Sequence, residues 1–388
     1  MTEATDGQRP DRPGQSPGGG ESPGGSVSYE SVGVDYELLD AGKRHSLAQA
    51  LLTSSLAASR GAQAVDASRG EPAFLFRLGD THLAMVLECL GTKSVIARQY
   101  QEQTGINRFD WIGIDTVAAV VNDLICVGAL PLAVNAYFAT GAASWYHVAG
   151  RHEALSRGFR EGCERAGAIW GGGESPTLSG IIDAAEIDLA ACGVGQVPAG
   201  REPLLSSGLE PGDEIVLVAS TGLHTNGATL ARAAAARAGG LTATLPDGTT
   251  IGDALLQPSA IYVDLMARLL ERGVSISYAS HITGHGLRKI MRPDRDLTYR
   301  IHTLPPVPPV LDWIRTTLEL PDAEAYGTFN MGAGFAVYCR PGQGDAVVAA
   351  AAEVGQAAWV AGRVETGDRR VILEPVDIVF TGEALQLR

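Results

Sequence analysis

Basic charge is the scarcest resource of this chain. Thirty Lys and Arg stand against 44 Asp and Glu in 388 residues, a net charge of −14. Nucleic acid and anionic bilayers need a basic face, so neither is expected as a partner. A local basic pocket for a phosphorylated small molecule remains compatible with that balance. Long apolar runs are missing too: nothing approaches the roughly 18 apolar residues of a membrane-spanning helix. The N-terminus has no basic start followed by an apolar stretch, which excludes a secretory signal of the usual form and makes the cytoplasm the expected compartment. Cysteine is sparse and scattered, at Cys89, Cys126, Cys163, Cys192 and Cys339, with no CxxC. An odd, dispersed set predicts free thiols in a reducing compartment. Two common nucleotide motifs are also lacking. Gly91-Thr-Lys-Ser94 has neither the Gly-Lys pair nor the upstream glycine of a Walker A loop, and no glycine cluster completes GxGxxG. His281 and His285 are four apart, but Gly284 lies between them and no glutamate accompanies them, so a tight turn is expected there and not a zinc site.

What is present is apolar material for sizeable cores: 45% hydrophobic residues with only 19% charged. A chain of this length exceeds one ordinary core, so two α/β (or α+β) domains are expected. Residues 1–27 are almost wholly Gly, Pro, Ser and charge and read as a disordered tail. The domains are expected at 28–200 and 212–375, separated near Arg201–Gly212, with a C-terminal tail over 376–388. Leu83–Leu87, Ala168–Trp170, Glu186–Val197, Glu214–Ala219 and Gly332–Cys339 read as strands. Helices are expected over Thr116–Val127, Tyr146–Ala166, Ala228–Ala238, the region Ala254–Arg272 and Leu287–Met291. In the first, Val117, Val120, Val121 and Leu124 form one stripe at helical spacing, with Asp115 and Asn122 opposite it and Asp123 on its flank.

Six segments carry candidate chemistry. Glu88-Cys-Leu-Gly-Thr-Lys93 places a carboxylate and an ammonium after a strand; Lys93 suits a phosphate, or ends the strand in solvent. Asp115 with Asn122 and Asp123 offers oxygens for Mg²⁺, or a helix cap and a solvated face. Gly171-Gly-Gly-Glu174 could bring backbone amides to an anion with Glu174 as ligand or base, or be a turn. Ser220-Thr-Gly-Leu-His-Thr-Asn-Gly227 sits between strand and helix, where amides and hydroxyls favour an anion. His281-Ile-Thr-Gly-His-Gly286 and Gly327-Thr-Phe-Asn-Met-Gly-Ala-Gly334 are weaker donors' loops of the same kind.

In order and spacing these segments resemble the aminoimidazole ribonucleotide (AIR) synthetase superfamily, from about Ser28 to Leu373. The similarity rests on Ser28-Tyr29 with Gly33-Val34-Asp35, the run Gly113–Pro131, Tyr137–Gly141, Gly172-Gly-Glu174, Gly222–Gly227, Ile282-Thr-Gly284 and Thr328–Gly332. The resemblance implies a two-domain fold whose N-terminal sheet closes a barrel with the same sheet of a second subunit in a homodimer, followed by a C-terminal α/β domain. It implies ATP and Mg²⁺ as cofactors and a small, phosphorylated substrate. The implied catalytic residues are Lys93, Glu174 and His224. Those around the nucleotide are Gly91, Thr92, Lys93, Asp115, Asn122, Gly172, Gly173, Thr225, Asn226, Thr283 and Asn330. Those on the metal are Glu88, Asp115 and Asp123. The implied reaction is ATP-dependent closure of formylglycinamidine ribonucleotide to aminoimidazole ribonucleotide. The chain departs from the family pattern at Glu88-Cys89, Ala136, Ser175–Gly180 and Gly327, where the family carries Asp-Gly, an aspartate, a second glutamate and an arginine. These departures leave two other readings open: a diverged enzyme acting on a different small molecule in specialised metabolism, and a non-catalytic nucleotide-binding homologue.

Overall fold

The structure, a computed structural model, describes residues 36–385. The expected tail over 1–27 and the Ser28–Asp35 segment lie outside the described residues. After helix α1 (Tyr36–Leu51), β1 (Ala62–Val65), β2 (Phe74–Leu78), β3 (Thr81–Cys89), β4 (Leu130–Thr140), β5 (Ile169–Glu174) and β6 (Ile187–Gln196) form one sheet in the order β1-β2-β3-β6-β4-β5. Its pairs are antiparallel except β4 with β5. One face is covered by α2 (Lys93–Thr104), α3 (Phe109–Cys126) and α4 (Arg151–Arg165). The second domain is a seven-stranded sheet, β13-β12-β9-β11-β7-β10-β8. Its strands are β7 (Glu214–Ala219), β8 (Ile276–His281), β9 (Leu297–Ile301), β10 (Ala333–Cys339), β11 (Ala358–Thr366), β12 (Arg370–Leu373) and β13 (Ile378–Thr381). Around it lie α5 (Ala228–Arg237), α6 (Ile251–Leu256), α7 (Val263–Glu271), α8 (Pro309–Thr317), α9 (Asp322–Tyr326) and α10 (Gly344–Glu353).

The mixed α/β class and the two-domain division agree with the expectation, and three boundaries are corrected. The segment 376–388 is not simply a tail, because Ile378–Thr381 pairs along β12 with Ile378 and Phe380 turned into the core. The long helix expected from Tyr146 begins instead at Arg151. Gly150 at φ 74 turns the chain there, after a short 3-10 turn over Ala143–His147. Helix α3 starts two turns before Thr116. Asn107 Oδ1 accepts from the amide of Phe109 at 3.0 Å and Asp110 Oδ1 from that of Trp111 at 3.0 Å, satisfying first-turn donors.

Helix α3 is the axle of the molecule. Its valine–leucine stripe packs on the first sheet, and nearly every other residue is buried as well. Gly113 and Gly158 let α3 and α4 touch backbone to backbone. A Cβ at Gly113 would lie 2.4 Å from the carbonyl oxygen of Leu155, and one at Gly158 would lie 1.7 Å from that of Asp110. The helix face opposite the stripe, expected to meet solvent or a metal, instead meets the second domain: β8, α7 and the 257–262 linker between α6 and α7. Pro258 keeps that linker out of a helix.

The domains are further joined outside the seam of α3. Tyr100 Oη lies 2.8 Å from Thr250 Oγ1 and donates to Asp253 Oδ2 at 3.0 Å. Arg108 Nε meets Asp253 Oδ1 at 2.7 Å, and Tyr278 Oη donates to Glu71 Oε2 at 2.6 Å. The other face of the first sheet has no cover among the described residues. Met85 and Leu87 on β3 are 47% and 65% exposed, Leu132 on β4 43% and Ile169 on β5 70%. Among the described residues no helix is long and apolar enough to cross a membrane.

Candidate functional site

Lys93, the first residue of α2, is fully buried. Its Nζ lies 2.6 Å from Asp115 Oδ2 and donates to the carbonyl of Gln257 at 3.0 Å. Asp115 Oδ1 accepts from the amide of Ser259 at 2.7 Å and from its hydroxyl at 2.5 Å. Burial pushes the Asp115 carboxyl up, against the pull of Lys93 and the Ser259 bonds. Two helical turns further on, Asn122 Oδ1 accepts from the amide of Tyr262 at 2.9 Å while its Nδ2 donates to the carbonyl of Ala260 at 2.9 Å. Lys93, Asp115 and Asn122 thus bolt the linker of the second domain to α2 and α3. As placed, their polar atoms face protein partners and not an open phosphate or ion.

His224 belongs to the same seam. Its Nε2 accepts from the amide of Thr221 at 3.1 Å and faces that of Ala260 at 3.5 Å. Burial, then the charges of His281 and Lys93, hold its pKa well below the ordinary 6.5. It is therefore a neutral imidazole whose acceptor nitrogen is occupied, which suits it to shaping the loop and not to delivering a proton. Asn330 is also structural: Nδ2 donates to the carbonyl of Gly222 at 2.8 Å, and Oδ1 accepts from Ser220 Oγ at 2.7 Å and the amide of Gly332 at 3.0 Å.

Outside this bolt is a ring of accessible donors. Thr92 and Gly91 precede α2, and Thr92 Oγ1 lies 3.4 Å from Thr229 Oγ1 in the first turn of α5, so the N-termini of two helices converge. Partly exposed Thr225 and Asn226 sit beside them, the Asn226 Nδ2 donating to Thr225 Oγ1 at 3.2 Å. The loop after β8 joins them, since a Cβ at Gly284 would lie 3.1 Å from Asn226 Oδ1; Thr283 in that loop accepts from Lys289 Nζ at 3.0 Å. Three of the five non-glycine residues at positive φ among those described lie in loops of this region: His224 at 58°, His285 at 71° and Met331 at 44°. Such strain is characteristic of functional loops.

Glu174 is exposed at the end of edge strand β5, opposite Tyr137. The ends of β3, β4 and β5 and the start of β6 coincide, so Glu174 shares one end of the sheet with Gly91 and Thr92. Gly172 and Gly173 serve β-pairing: a Cβ at Gly173 would lie 2.0 Å from the carbonyl oxygen of Ala136. Their backbone pairs with β4, where the sequence had set an ordinary turn beside anion binding.

The expected metal set does not converge. Asp115 is committed to Lys93 and Ser259, while Asp123 Oδ1 meets His281 Nδ1 at 2.8 Å. The Asp123 carboxylate raises Glu88 as a neighbouring like charge, while the charges of Lys289 and Arg292 pull both carboxyls down. Burial, then the Asp123 charge, pushes Glu88 up to about 8; Asp123 is held low, the His281 bond and the Lys289 and Arg292 charges outweighing its burial. Among the described residues no three His, Cys, Asp or Glu side chains are placed to hold an ion. Glu88, Asp115 and Asp123 as found here do not fit a divalent cation. Sequence reading missed Ser259, Thr229 and Lys289. Thr229 was within reach, as a hydroxyl in the first turn of an expected helix; the other two show only once the domains are docked.

Departures from the family pattern have packing consequences. At Gly327 a Cβ would lie 2.6 Å from Arg288 Nη2, so the guanidinium of Arg288, 5.1 Å from the Phe380 ring, fills the space of a side chain at 327. Ala136 is buried between β5 and β6.

Residues 70–197 match the family described as AIR synthase related protein, N-terminal domain, and residues 210–374 its C-terminal domain. A phosphoribosylformylglycinamidine cyclo-ligase of Methanothermobacter thermautotrophicus is 34% identical over 364 residues, covering 93% of this chain and 100% of the relative. One of Anaeromyxobacter sp. is 39% identical over 275 residues, 70% of this chain and 78% of the relative. Among solved structures, thiamine-monophosphate kinase from Stenotrophomonas maltophilia superposes with TM-score 0.53 at 21% identity, covering 78% of this chain and 90% of that one. The hydrogenase maturation protein HypE in complex with ATP gives 0.54 at 16%, covering 77% and 83%. At these identities the solved structures speak to fold alone.

Proposed function

This chain belongs to the AIR synthase related family, and from that premise we propose that it is an ATP-dependent enzyme that activates an amide oxygen of a small molecule by phosphorylation, with formylglycinamidine ribonucleotide as the substrate and the cytoplasm as its compartment. The observation that carries the reading is the convergence of the α2 and α5 N-termini at Thr92 and Thr229, beside Asn226 and Thr283. Unpaired amides and the helix dipoles favour phosphate there. The 34% identical cyclo-ligase, matched over its whole length, supports the reaction class.

The reaction converts a poor leaving group into a good one. The bond between the γ-phosphorus and the β–γ bridging oxygen of ATP breaks as the formyl amide oxygen bonds to that phosphorus, giving ADP and an imidate phosphate. The amidine nitrogen then attacks the activated carbon, inorganic phosphate leaves with the former amide oxygen, and loss of a proton from nitrogen completes the ring. Thr92, Thr229 and the neighbouring amides hold the phosphates. We assign Glu174, exposed at the same end of the sheet, as the base that accepts the proton. Lys93, Asp115, Asn122 and His224 fix the seam from which this ring is built. Since Glu88, Asp115 and Asp123 do not fit a divalent ion, no step is assigned to one.

Two sheets with bare apolar faces complete each other in a homodimer, and Met85, Leu87 and Leu132 form the contact. One observation favours a second reading, the same activation applied to another amide: Arg288 fills the space at Gly327, so that departure is built into the packing. The test is turnover. Purified protein with formylglycinamidine ribonucleotide and ATP should release ADP, phosphate and the aminoimidazole product in equal amounts. Nucleotide binding without that product would replace the assigned substrate by the second reading, and absence of nucleotide binding would remove both.

A further inference from the structure

Helices α2 and α5 meet at their N-termini, where Thr92 Oγ1 and Thr229 Oγ1 lie 3.4 Å apart, and leave a groove of about 410 Å³ between them. Thr229, Arg232, Ala233 and Ala236 line it from α5 at i, i+3, i+4 and i+7, one face of that helix. Gln99 and Gln103 line it from α2, one turn apart. The two alanines leave the space open that longer side chains would fill. Thr229 belongs both to the groove and to the phosphate ring, so the groove opens onto that ring about one turn of α5 before Arg232. No Asp or Glu stands among the described residues that line it, and Glu102, next to Gln103, is paired with Arg98 at 2.7 Å. Arg232 is half-buried, and its guanidinium makes no hydrogen bond or ion pair with any described residue. Burial takes water from a charge that the chain leaves uncompensated, and an anion in the groove would restore the balance.

We propose that this groove is the subsite for a phosphate ester of the substrate, with Arg232 as its charged ligand and the Gln99 and Gln103 amides as neutral donors. The planar fork of an arginine matches two oxygens of a phosphate at once. The volume falls within the about 300–1,000 Å³ of small-molecule sites, more than a free ion needs. The small molecule then lies along the groove, its anionic end at Arg232 and its reacting amide at the Thr92–Thr229 mouth, where the γ-phosphate is delivered. Whichever amide is activated, the substrate is a phosphomonoester. Only the nucleotide's place at the mouth rests on the proposed function, and the anion subsite is read from the groove itself.

The experiment follows the phosphorus magnetic resonance line width of ribose 5-phosphate against the full chain, beside calorimetry with an ATP analogue that cannot transfer its γ-phosphate. The wild type should bind ribose 5-phosphate with a Kd below about 10 mM, more tightly than inorganic phosphate, and excess ribose should not displace it. Arg232→Gln should weaken ribose 5-phosphate at least about tenfold while the Kd of the analogue stays within about twofold, and Thr92→Val should do the reverse. The guanidinium has no partner to lose, so the urea midpoint of Arg232→Gln should match the wild type, which separates a lost ligand from a lost fold. Ribose 5-phosphate that binds Arg232→Gln as well as the wild type, or binds neither, overturns the proposal. Equal weakening of the analogue by Arg232→Gln also overturns it, by giving the arginine to the nucleotide. Inorganic phosphate binding as tightly as the ester does so too, by giving the groove to the free ion. An analogue that fails to bind while ribose 5-phosphate behaves as expected sinks the nucleotide reading and leaves the subsite standing.

Discussion

Protonation of His224 is disfavoured by the fold, because its Nε2 accepts from Thr221 and the ring is buried beside His281 and Lys93. The pH effect follows from the sign of that shift. Above the ordinary 6.5 the imidazole is neutral in both folded and unfolded chains and contributes no slope. Below it the unfolded chain takes up a proton that the folded chain refuses, so stability falls by about 1.4 kcal/mol per pH unit until the depressed folded value is reached. Urea midpoints measured from neutrality to about pH 5 should show this slope in the wild type and lose it in His224→Gln. An unchanged slope in the variant would mean that His224 takes up its proton in the folded state. Lys93 gives a second prediction at this scale. Lys93→Met leaves Asp115 buried without its cation and should cost about 3–5 kcal/mol. Lys93→Met with Asp115→Asn should recover much of it, because the amide keeps an acceptor for Ser259. A Lys93→Met protein of unchanged stability that no longer binds nucleotide would instead make Lys93 a phosphate ligand.

Among the elements, α3 shows how far the sequence can be read. The Val117–Leu124 stripe announced a helix and its core-facing side, and the strands around Leu83–Leu87, Glu186–Val197 and Glu214–Ala219 stood out by their apolar runs. The polar face of α3 was legible as a face but not as a seam, since periodicity reports amphipathicity and is silent on whether water, metal or a second domain lies opposite. For the same reason the sequence brought Lys93, Asp115, Asn122, Asp123 and His224 into one neighbourhood but could not say that each would be consumed by an interdomain partner. Strand β13 was missed because four residues near a terminus carry almost no periodic signal. The α3–α4 contact depends on Gly158. Gly158→Ala would drive a Cβ to 1.7 Å from the Asp110 carbonyl oxygen, so the helices must part. A loss of about 1–3 kcal/mol is expected. Denaturant titration checks it, and a change within about 0.5 kcal/mol would show that the pair can slide apart freely.

At the scale of the whole molecule, the described residues leave one sheet face bare and set a ring of loops between the two domains. Exposed apolar strand faces associate unless covered, so Leu87→Lys, on the outward face of β3 where Leu87 is 65% exposed, should convert a dimer into a monomer by light scattering while circular dichroism stays unchanged. A wild type already monomeric at micromolar concentration would remove the intersubunit sheet. The central claim is that nucleotide phosphates lie between the N-termini of α2 and α5. Isothermal titration of the intact chain with an ATP analogue that cannot transfer its γ-phosphate, in Mg²⁺-containing buffer, tests it directly. The wild type should bind with a Kd below about 1 mM, and Thr92→Val and Asn226→Ala should each weaken binding by about ten- to a hundredfold, the loss of a hydrogen bond to a charged group. Binding that survives both substitutions unchanged, or no heat at all at millimolar analogue, would contradict the account.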